Sequence, residues 1–317
     1  MIRFLVFSFL FTTTTYGQIT GCTDHFASNF DSKATKNCEC CWYPNTRVKT
    51  KSSTNINTSL LETSGLFDFD DLIWTFNDNT DTTLYGLDTN GEIKKKINLN
   101  KLKNIDWEEI SQDSLYLYIG DFGNNSEGNR RDLAIYRIDK KSIFTDTPQI
   151  ETISFSYSNQ NDFSTLKPNT TDFDCEAFVV LHDKIYLITK QWKSEKTSIY
   201  SLPKDPGTYV AQLKETIDIH GLITGATAVP SKNQIVLCGY SKLLQPFVLL
   251  LYNYQNDDFW TGNKRKIKVS LPWHQIEGIT TKDGSTFFLS NEAMLRKPFI
   301  DTPQQIHTID LSPFLKE

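Results

Sequence analysis

The chain has 317 residues, of which 13% are aromatic and 22% charged, and its formal net charge is −5. A hydrophobic share of 38% is enough for a core and argues against global disorder. Mild acidity argues against a protein that binds nucleic acid polymers, because such proteins present a basic face. The abundance of Thr, Ser, Asn, Tyr and Phe favours strands and turns and nearly excludes an all-helical protein.

Residues 1–17 have the pattern of a secretory signal peptide. Arg3 precedes the short apolar run 4–11, and cleavage after the small residue Gly17 would leave Gln18 first. The run is too short to span a bilayer, which takes roughly 20 apolar residues, and we predict no transmembrane segment. The residues before Cys22 also resemble a bacterial lipobox, which would place a lipid anchor on Cys22. Both interpretations predict a secreted or cell-envelope protein, in a compartment where disulfides form.

Residues 18–45 are predicted to form a small module held together by disulfides. Four of the six cysteines lie in this segment, and so few residues cannot bury a core of their own. The stretches Gly21-Cys22-Thr23-Asp24 and Cys38-Glu39-Cys40-Cys41-Trp42 resemble a short repeat of secreted bacterial adhesin-like proteins. The departure from that repeat is at Lys36-Asn37-Cys38-Glu39, which replaces an acidic turn. A zinc site is the alternative, although adjacent cysteines suit tetrahedral ligation poorly, and the sequence does not decide the pairing.

Residues 46–317 repeat a pattern of short strands. Each unit opens with a strand that carries a polar residue, and these residues lie 44, 68, 48 and 53 positions apart. Repeats of about 40 to 50 residues with four strands each are typical of β-propeller blades. We assign the excess length of the 68-residue step to loops around 122–130 and 158–172. The polar residues of the opening strands are Ser64, Glu108, Glu176, Thr224 and Glu277.

The last of these units contains only three predicted strands before the chain ends. Its missing fourth strand is expected from residues 47–54, at the other end of the repeat region, and that strand would close the ring. Five blades then use every predicted strand. The predicted fold is therefore all-β, a five-bladed β-propeller closed by an N-terminal strand and preceded by the small disulfide-rich module.

The opening strands of propeller blades line the central tunnel, so their polar residues are predicted to form a ring around the axis. A second ring, two positions upstream, adds Glu62, Asp106 and Asp174. Six acids in two adjacent rings repel one another unless a cation neutralises them, and carboxylate oxygens are the ligands that Ca²⁺ prefers. We therefore predict Ca²⁺ in the tunnel, with a water-filled tunnel as the alternative. The predicted ligands are Ser64, Glu108, Glu176, Thr224 and Glu277.

This ring resembles that of the soluble calcium-activated nucleotidases, or apyrases. The similar segments are Glu62-Thr63-Ser64-Gly65-Leu66, residues 221–236, and Ile276-Glu277-Gly278-Ile279. The resemblance extends over about 46–317 and implies a secreted five-bladed propeller with Ca²⁺ in its tunnel that hydrolyses nucleoside di- and triphosphates. The motifs do not place that family's substrate-contacting residues on this chain, so the resemblance supports the fold and the metal ring more than the reaction.

Residues at the ends of the second strands are candidates for phosphate chemistry at the tunnel mouth. Such chemistry needs a polarising metal, a base that orients water, and cations for the phosphate oxygens. Asp and Asn at such positions also commonly cap turns, which is the alternative interpretation. The candidate catalytic bases are Asp78, Asp121 and Glu292, and the candidate substrate-binding cations are Lys190, Arg130, Arg131 and Arg296.

The sequence leaves three functions open and does not decide whether the protein is an enzyme. The first is an exported Ca²⁺-binding propeller that hydrolyses a phosphorylated, nucleotide-like substrate. The second is a non-catalytic binding or adhesion propeller with a structural metal, whose ligand is a small molecule or a cell-surface group. The third is a glycosidase that uses two suitably spaced carboxylates.

Overall fold

The computed structural model describes residues 17–315. The predicted signal peptide, apart from its last residue, lies outside the described residues. The chain divides into two units, Met1–Pro44 and Asn45–Glu317. Within residues 17–315, no helix is long and apolar enough to cross a membrane.

The smaller unit contains little regular structure. Its two strands, β1 (Thr20–Gly21) and β2 (Lys36–Asn37), pair in parallel over two residues. Elsewhere in this unit the hydroxyl of Tyr43 donates to Oδ2 of Asp24 at 2.7 Å. So small a unit buries few apolar side chains and therefore depends on covalent links.

Two disulfides supply these links, Cys22–Cys41 and Cys38–Cys40. The prediction of a disulfide-held module is thus confirmed, and no thiolate of this set remains for a zinc ion. The sulfur of Cys22 is in a disulfide and is not available for a lipid thioether, so the alternative of a lipid anchor at Cys22 is wrong. Disulfides persist in oxidising compartments, which points to an extracytoplasmic environment.

The larger unit is built from antiparallel strands that pair mainly with their neighbours along the chain. The strands before and within the first two sheets are β3 (Arg47–Val48), β4 (Thr50–Asn55), β5 (Thr63–Phe69), β6 (Leu72–Asn77), β7 (Thr83–Leu87), β8 (Ile93–Asn98), β9 (Trp107–Gln112), β10 (Tyr116–Asp121), β11 (Ala134–Asp139) and β12 (Ile150–Tyr157). The next eight are β13 (Asp174–Leu181), β14 (Lys184–Lys190), β15 (Lys196–Pro203), β16 (Gly207–Asp218), β17 (Leu222–Val229), β18 (Gln234–Tyr240), β19 (Pro246–Tyr252) and β20 (Asn263–Val269).

The remaining elements complete the last sheet or lie in the loops between strands. The last strands are β21 (Ile276–Thr281), β22 (Thr286–Asn291), β23 (Met294–Arg296), β24 (Ile300–Thr302) and β25 (Gln305–Asp310). Strands β23 and β24 form a small separate hairpin that the sequence patterns did not predict. Three single-turn 3₁₀ helices occupy Thr58–Leu60, Pro230–Lys232 and Ser312–Phe314.

The outer strands connect these sheets. Strand β4 pairs antiparallel with β25, which confirms that the N-terminal segment supplies the fourth strand of the last sheet. Strands β12 and β16 pair in parallel along residues 153–157 and 207–211, so two four-stranded runs merge into one eight-stranded sheet. Strand β3 adds in parallel to the edge of β20. The extension of β16 over 207–211 was not predicted, because these residues are mostly exposed and their sequence shows little apolar periodicity.

The opening strands of the sheets lie side by side around a common axis. Strand β5 packs against β9, β9 against β13, β13 against β17, and β17 against β21, which returns to β5. Each sheet then leads outward from the axis through its later strands. Radial repetition of four-stranded antiparallel sheets is the architecture of a β-propeller.

Hydrophobic clusters fill the spaces between successive sheets. Trp74 of the first sheet and Trp107 of the second share one cluster, and the rings of Phe76 and Trp107 pack in a T-shaped arrangement with centroids 5.8 Å apart. Burying one such side chain stabilises the fold by about 1.5–3 kcal/mol. Cys175 and Cys238 are free, buried thiols within two other clusters and form no bridge between sheets. The packing therefore comes from the flanks of the sheets, which leaves the axis to polar side chains.

Candidate metal centre

Four of the five opening strands are irregular at the residue that the sequence repeat aligns; in β5 Ser64 is paired with Phe76 and the irregularity follows it. In β9, Trp107 and Glu109 pair with β10 while Glu108 between them stays unpaired. A β-bulge of this kind inserts an extra residue and re-aims its side chain. The sequence repeat therefore marks the positions at which the backbone turns a side chain toward the axis. The corresponding unpaired residues of β13, β17 and β21 are Glu176, Thr224 and Glu277.

The two hydroxyl members of the predicted ring hold neighbouring opening strands together. Oγ of Ser64 in β5 donates to the carbonyl oxygen of Glu108 in β9 at 2.5 Å. Oγ1 of Thr224 in β17 donates to the carbonyl oxygen of Ile276, which begins β21. Each hydroxyl proton is thus engaged with the backbone of the next sheet. Ser64 and Thr224 were predicted as calcium ligands, and their positions on the axis also give them this structural role.

Three buried carboxylates form the tightest acidic group of the tunnel. Glu108, Asp174 and Glu176 each offer an oxygen, and these three atoms lie within 4.8 Å of one another. Asp174 is oriented from both sides: its Oδ1 accepts from the Asn124 amide at 2.7 Å and its Oδ2 from Nε1 of Trp192 at 2.6 Å. Buried carboxylate oxygens this close fit a hard divalent cation such as Ca²⁺. Asp174 came from the second predicted ring and was not among the predicted ligands.

Burial and mutual repulsion shape the protonation of this group. Burial raises the pKa of Glu108 well above its usual range, and the charges of Glu176, Asp106 and Asp174 raise it further. Burial also raises the pKa of Glu176 well above its usual range, despite the opposing effect of Lys190. Oε1 of Glu176 accepts no hydrogen bond of normal geometry from any described residue, although Nζ of Lys190 lies 3.1 Å away. The group is therefore poorly neutralised as a set of three anions.

Lys190, at the end of β14, places one ammonium group inside the tunnel. Its Nζ lies 3.1 Å from Oε1 of Glu176 and 3.9 Å from Oε2 of Glu277, and the side chain is buried. The faces of Trp192 and Tyr240 approach the same nitrogen at 4.5 and 5.4 Å from their ring centroids. Burial acts to lower the pKa of Lys190, but the nearby carboxylates outweigh it and the pKa is raised well above its ordinary value. Lys190 was predicted to bind a phosphate, and here it bridges two of the predicted metal ligands.

A second acidic group lies nearer the mouth. Burial raises the pKa of Asp78 to about 8, helped by the charges of Glu292, Glu62 and Asp106. The pKa of Glu277 is raised to about 8 and that of Glu292 to about 7, again chiefly by burial. Oδ1 of Asp78 is buried and has no hydrogen-bond partner among the described residues. This group is partly protonated near neutral pH.

The two groups form one connected network of charges. Each carboxyl of the network raises the pKa of at least one other member or has its own pKa raised by one. Among residues 17–315, Lys190 is the lysine whose charge opposes these shifts. Arg130 adds a weaker attraction at one edge, toward Asp106. A network so short of positive charge favours the binding of a cation. Its eight carboxyl groups belong to Glu62, Asp78, Asp106, Glu108, Asp174, Glu176, Glu277 and Glu292.

Asp121 and Arg130, predicted as base and phosphate ligand, bind each other. Nη2 of Arg130 lies 2.8 Å from Oδ1 of Asp121, which also accepts from the Asp106 amide at 3.2 Å. Nη1 of the same arginine donates to the carbonyl oxygen of Gly123 at 2.9 Å. Asp121 thus caps backbone amides, and Arg130 fixes the loop that follows β10.

The other two predicted phosphate ligands lie apart from the network. The guanidinium of Arg131 stacks on Phe163, 3.7 Å from the ring centroid. Arg296 is exposed on β23, paired through its backbone with Ile300. Among the predicted catalytic and substrate residues, the structure brings Asp78, Glu292 and Lys190 together and leaves the other four outside.

Glu109 is a fully buried carboxylate on the axis that the sequence patterns missed. Its Oε1 accepts from the Ile110 amide at 2.9 Å and its Oε2 from the Ala226 amide of β17 at 2.7 Å. A side chain at Gly65 or Gly225 would crowd these oxygens, since a Cβ there would lie 2.9 and 3.3 Å from them. Burial raises the pKa of Glu109 well above its usual range, although the hydrogen bonds from these amides act to lower it. Glu109 thus links β9 to β17, two opening strands that are not neighbours in the ring order. Its only sequence signal was its place next to Glu108.

Gly123 covers the acidic group from the loop after β10. A Cβ at this position would lie 2.3 Å from Oε1 of Glu108 and 2.4 Å from Cγ of Asp106. Its amide donates to the carbonyl oxygen of Asp106 at 3.1 Å. Only glycine allows the loop backbone to approach these carboxylates so closely.

Comparisons with known proteins return structures alone. No protein-family model and no curated protein matches the chain. The β-propeller domain of Cps50 (Swd1) from Myceliophteria thermophila is 10% identical, with a TM-score of 0.38 over 76% of this chain and 82% of that one. A chain of the mitotic checkpoint complex is 11% identical, with a TM-score of 0.36 over 77% and 60%. An exo-β-1,3-galactanase of Phanerochaete chrysosporium, solved with β-1,3-galactotriose, is 13% identical, with a TM-score of 0.43 over 64% and 46%. The propeller assignment accordingly follows from the strand topology of the chain itself.

Proposed function

We propose that the larger unit is a five-bladed β-propeller that binds Ca²⁺ in its tunnel and serves as an exported binding module. The observation that carries this proposal is the network of eight carboxyl groups with one buried lysine, three of whose members offer oxygens within 4.8 Å of one another. Its blades would be the four-stranded runs that begin with β5, β9, β13, β17 and β21, the last of them completed by β4.

The donor chemistry supports a hard cation. Glu108, Asp174 and Glu176 would hold the ion through carboxylate oxygens, and no thiolate or imidazole belongs to the group. Ca²⁺ takes 6–8 oxygen ligands and tolerates irregular geometry, whereas Mg²⁺ demands a near-ideal octahedron. Bound Ca²⁺ would neutralise the repulsion among these anions and lock three blades against one another.

A binding role is consistent with the contacts of the predicted phosphate ligands, because most of them already interact with other side chains. Arg130 is engaged with Asp121, Arg131 stacks on Phe163, and Lys190 is buried between two carboxylates. A polyphosphate needs several cations that face it, and the tunnel mouth is lined by acids instead. Export is supported by the predicted signal peptide together with the two disulfides.

Calcium titration of thermal unfolding tests the metal. Binding at 100 times Kd stabilises a fold by about 2.7 kcal/mol, which for a domain of this size raises Tm by roughly 5–10 °C. We expect this shift in the wild-type chain and in the exposed control Glu127→Gln, and its loss in Glu176→Gln. Terbium emission sensitised by Trp192, whose indole touches Asp174, gives a second readout. An unchanged wild-type Tm, or an equal shift in Glu176→Gln, would contradict the proposal.

Hydrolysis of a phosphorylated substrate is the second candidate, and the protonation of Asp78 and Glu292 favours it. Their pKa values of about 8 and 7 suit general acids or bases near neutral pH. The test is phosphate release from nucleoside di- and triphosphates with Ca²⁺ present. Catalysis predicts a loss of about 100-fold or more in Asp78→Asn. Release no faster than in buffer across the nucleotides would exclude this candidate and leave the binding module.

A further inference from the structure

Exposed apolar side chains concentrate on one face of the larger unit. This mouth face is the end at which the opening strands begin and the second strands finish. Scattered exposed apolar residues need no explanation, but a group on one face marks an interaction surface. The other exposed ones of this unit include Leu115 and Phe144, in turns at the opposite end, and Val210 and Leu213 on the outer strand β16. The mouth-face group, with exposed fractions of 50–89%, is Leu61, Ile105, Leu243, Trp273, Leu295 and Phe299.

Part of this face is a rim whose segments are joined by hydrogen bonds. The amide of Ala293, which leads into the β23–β24 hairpin, donates to the carbonyl oxygen of Leu61 at 2.9 Å. At the other side of the hairpin, Oγ1 of Thr302 donates to the carbonyl oxygen of Trp273 at 3.5 Å. The Trp273 amide in turn donates to the carbonyl oxygen of Leu244 at 2.9 Å. Leu61, the hairpin and Trp273 therefore lie next to one another at the mouth, and within the hairpin the exposed Arg296 and Lys297 lie between the apolar Leu295 and Phe299.

Acidic side chains lie directly beside this rim, toward the axis. Glu62 follows Leu61 in the chain, and Glu292 precedes Ala293. The Asp78 amide donates to the carbonyl oxygen of Glu62 at 3.1 Å, which places Asp78 at the same point. Ile105 and Asp106 repeat this order of apolar and acidic residues on the next blade. The mouth thus offers an apolar rim around an acidic centre.

We propose that the mouth face docks a polypeptide segment in which a Lys or Arg side chain is flanked by apolar side chains. The basic side chain enters the acidic centre between Asp78 and Glu292, and the flanking side chains cover Leu61, Leu295 and Phe299. Charge complementarity selects this occupant, since an anionic membrane surface would be repelled by the same carboxylates. The proposal uses residues other than the metal candidates Glu108, Asp174 and Glu176. It can therefore be tested independently of calcium binding.

The test is binding of the labelled full chain to an array of immobilised heptapeptides. The central residue is Lys, Arg, Glu or Ser, and the flanking residues are Leu, Trp or Ser in all combinations. We expect binding only to peptides with a basic centre and apolar flanks, in chelator as well as in Ca²⁺. No binding across the array, or equal binding to Lys and Glu centres, would overturn the proposal.

Two exposed variants separate docking from folding. Leu295→Ser with Phe299→Ser should weaken binding of the best array peptide by about tenfold or more, as measured by fluorescence anisotropy. The matched control, Phe144→Ser with Val210→Ser, removes exposed apolar side chains from other faces and should leave affinity unchanged. Asp78→Asn should weaken binding of the Lys-centred peptide, whereas the exposed control Glu127→Gln should leave it unchanged. Equal affinity in the rim variant and the control, or capture of phosphatidylserine vesicles in place of peptides, would overturn the proposal.

Discussion

Replacement of Lys190 by Met tests the role of the single tunnel lysine. Met keeps most of the aliphatic volume and removes the ammonium group that lies 3.1 Å from Glu176 and 3.9 Å from Glu277. We expect two effects of opposite sign. Without calcium the fold should lose stability, because the carboxylates lose their internal counter-ion. With calcium the variant should bind the ion more tightly than the wild-type chain does.

The structure sets the size of both effects. Breaking a buried ion pair by removing one partner costs about 3–5 kcal/mol, which corresponds to a fall in Tm on the order of 10 °C for a domain of this size. A divalent ion on Glu176 and the Lys190 ammonium repel each other through the same carboxylate. At an effective dielectric constant of about 20 this repulsion reaches several kcal/mol, so its removal should tighten calcium binding by about tenfold or more.

The assay is thermal unfolding in chelator and across a calcium titration, with calorimetric titration for affinity. Lys184→Met is the matched control, because Lys184 begins the same strand β14 but its side chain is half-exposed. Its Nζ lies 4.0 Å from Oδ2 of Asp257, which is not a member of the tunnel network. The control should shift Tm little and leave the calcium response at the wild-type level. A Lys190→Met variant whose calcium affinity equals that of the wild-type chain would refute the idea that the lysine and the metal compete for Glu176.

Three further perturbations probe the same network. The carboxyls of Asp78, Glu277 and Glu292 have pKa values near 4 when unfolded and about 7 to 8 when folded. The folded state therefore holds more protons in this window, and the calcium-free free energy of unfolding should fall as pH rises from about 4 to 8. Urea unfolding in chelator measures this, and a rise would contradict it. Glu109→Gln places an amide donor opposite a backbone amide and should cost about 1–3 kcal/mol while the calcium-induced Tm shift persists; loss of that shift would place Glu109 in the metal site. Gly123→Ala should weaken calcium affinity through the contact of its Cβ with Glu108, whereas Ser126→Ala, exposed in the same loop, should not; calorimetric titration compares them.

The sequence predicted the architecture because the propeller repeats one local pattern. An apolar strand flanked by turns recurs, and the polar residue of each opening strand identifies equivalent positions. The prediction that residues 47–54 complete the last sheet is confirmed for β4 (Thr50–Asn55), because a three-stranded unit leaves an edge to be covered, whereas Arg47–Val48 pair with β20 instead. The link between β12 and β16 was not predictable, because it joins exposed outer strands through backbone hydrogen bonds that leave no side-chain pattern.

The site was predicted less well, because spacing identifies the axial position but not the partner of each side chain. Asp121 ends β10 and Arg130 lies in the loop that follows, yet a salt bridge of 2.8 Å joins them to each other. The hydroxyls of Ser64 and Thr224 donate across to neighbouring strands, and that contact depends on the distance between sheets. Glu109 was missed because strand alternation directs it away from Glu108, and the bulge at Glu108 alters that alternation.

The position of Lys190 separates the site that we propose for Ca²⁺ from the site that we propose for a basic side chain. Its ammonium group binds Glu176 on one side and Glu277 on the other, and so divides the network. Glu176 belongs with Glu108 and Asp174 in the buried group of three, where dehydrated oxygens suit a metal ion. The charges of Glu292 and Asp78, which lie at the mouth, raise the pKa of Glu277. A fixed lysine between the two groups keeps the fold from depending on either cation alone, and its removal should make the calcium-free chain depend on an added cation for its stability.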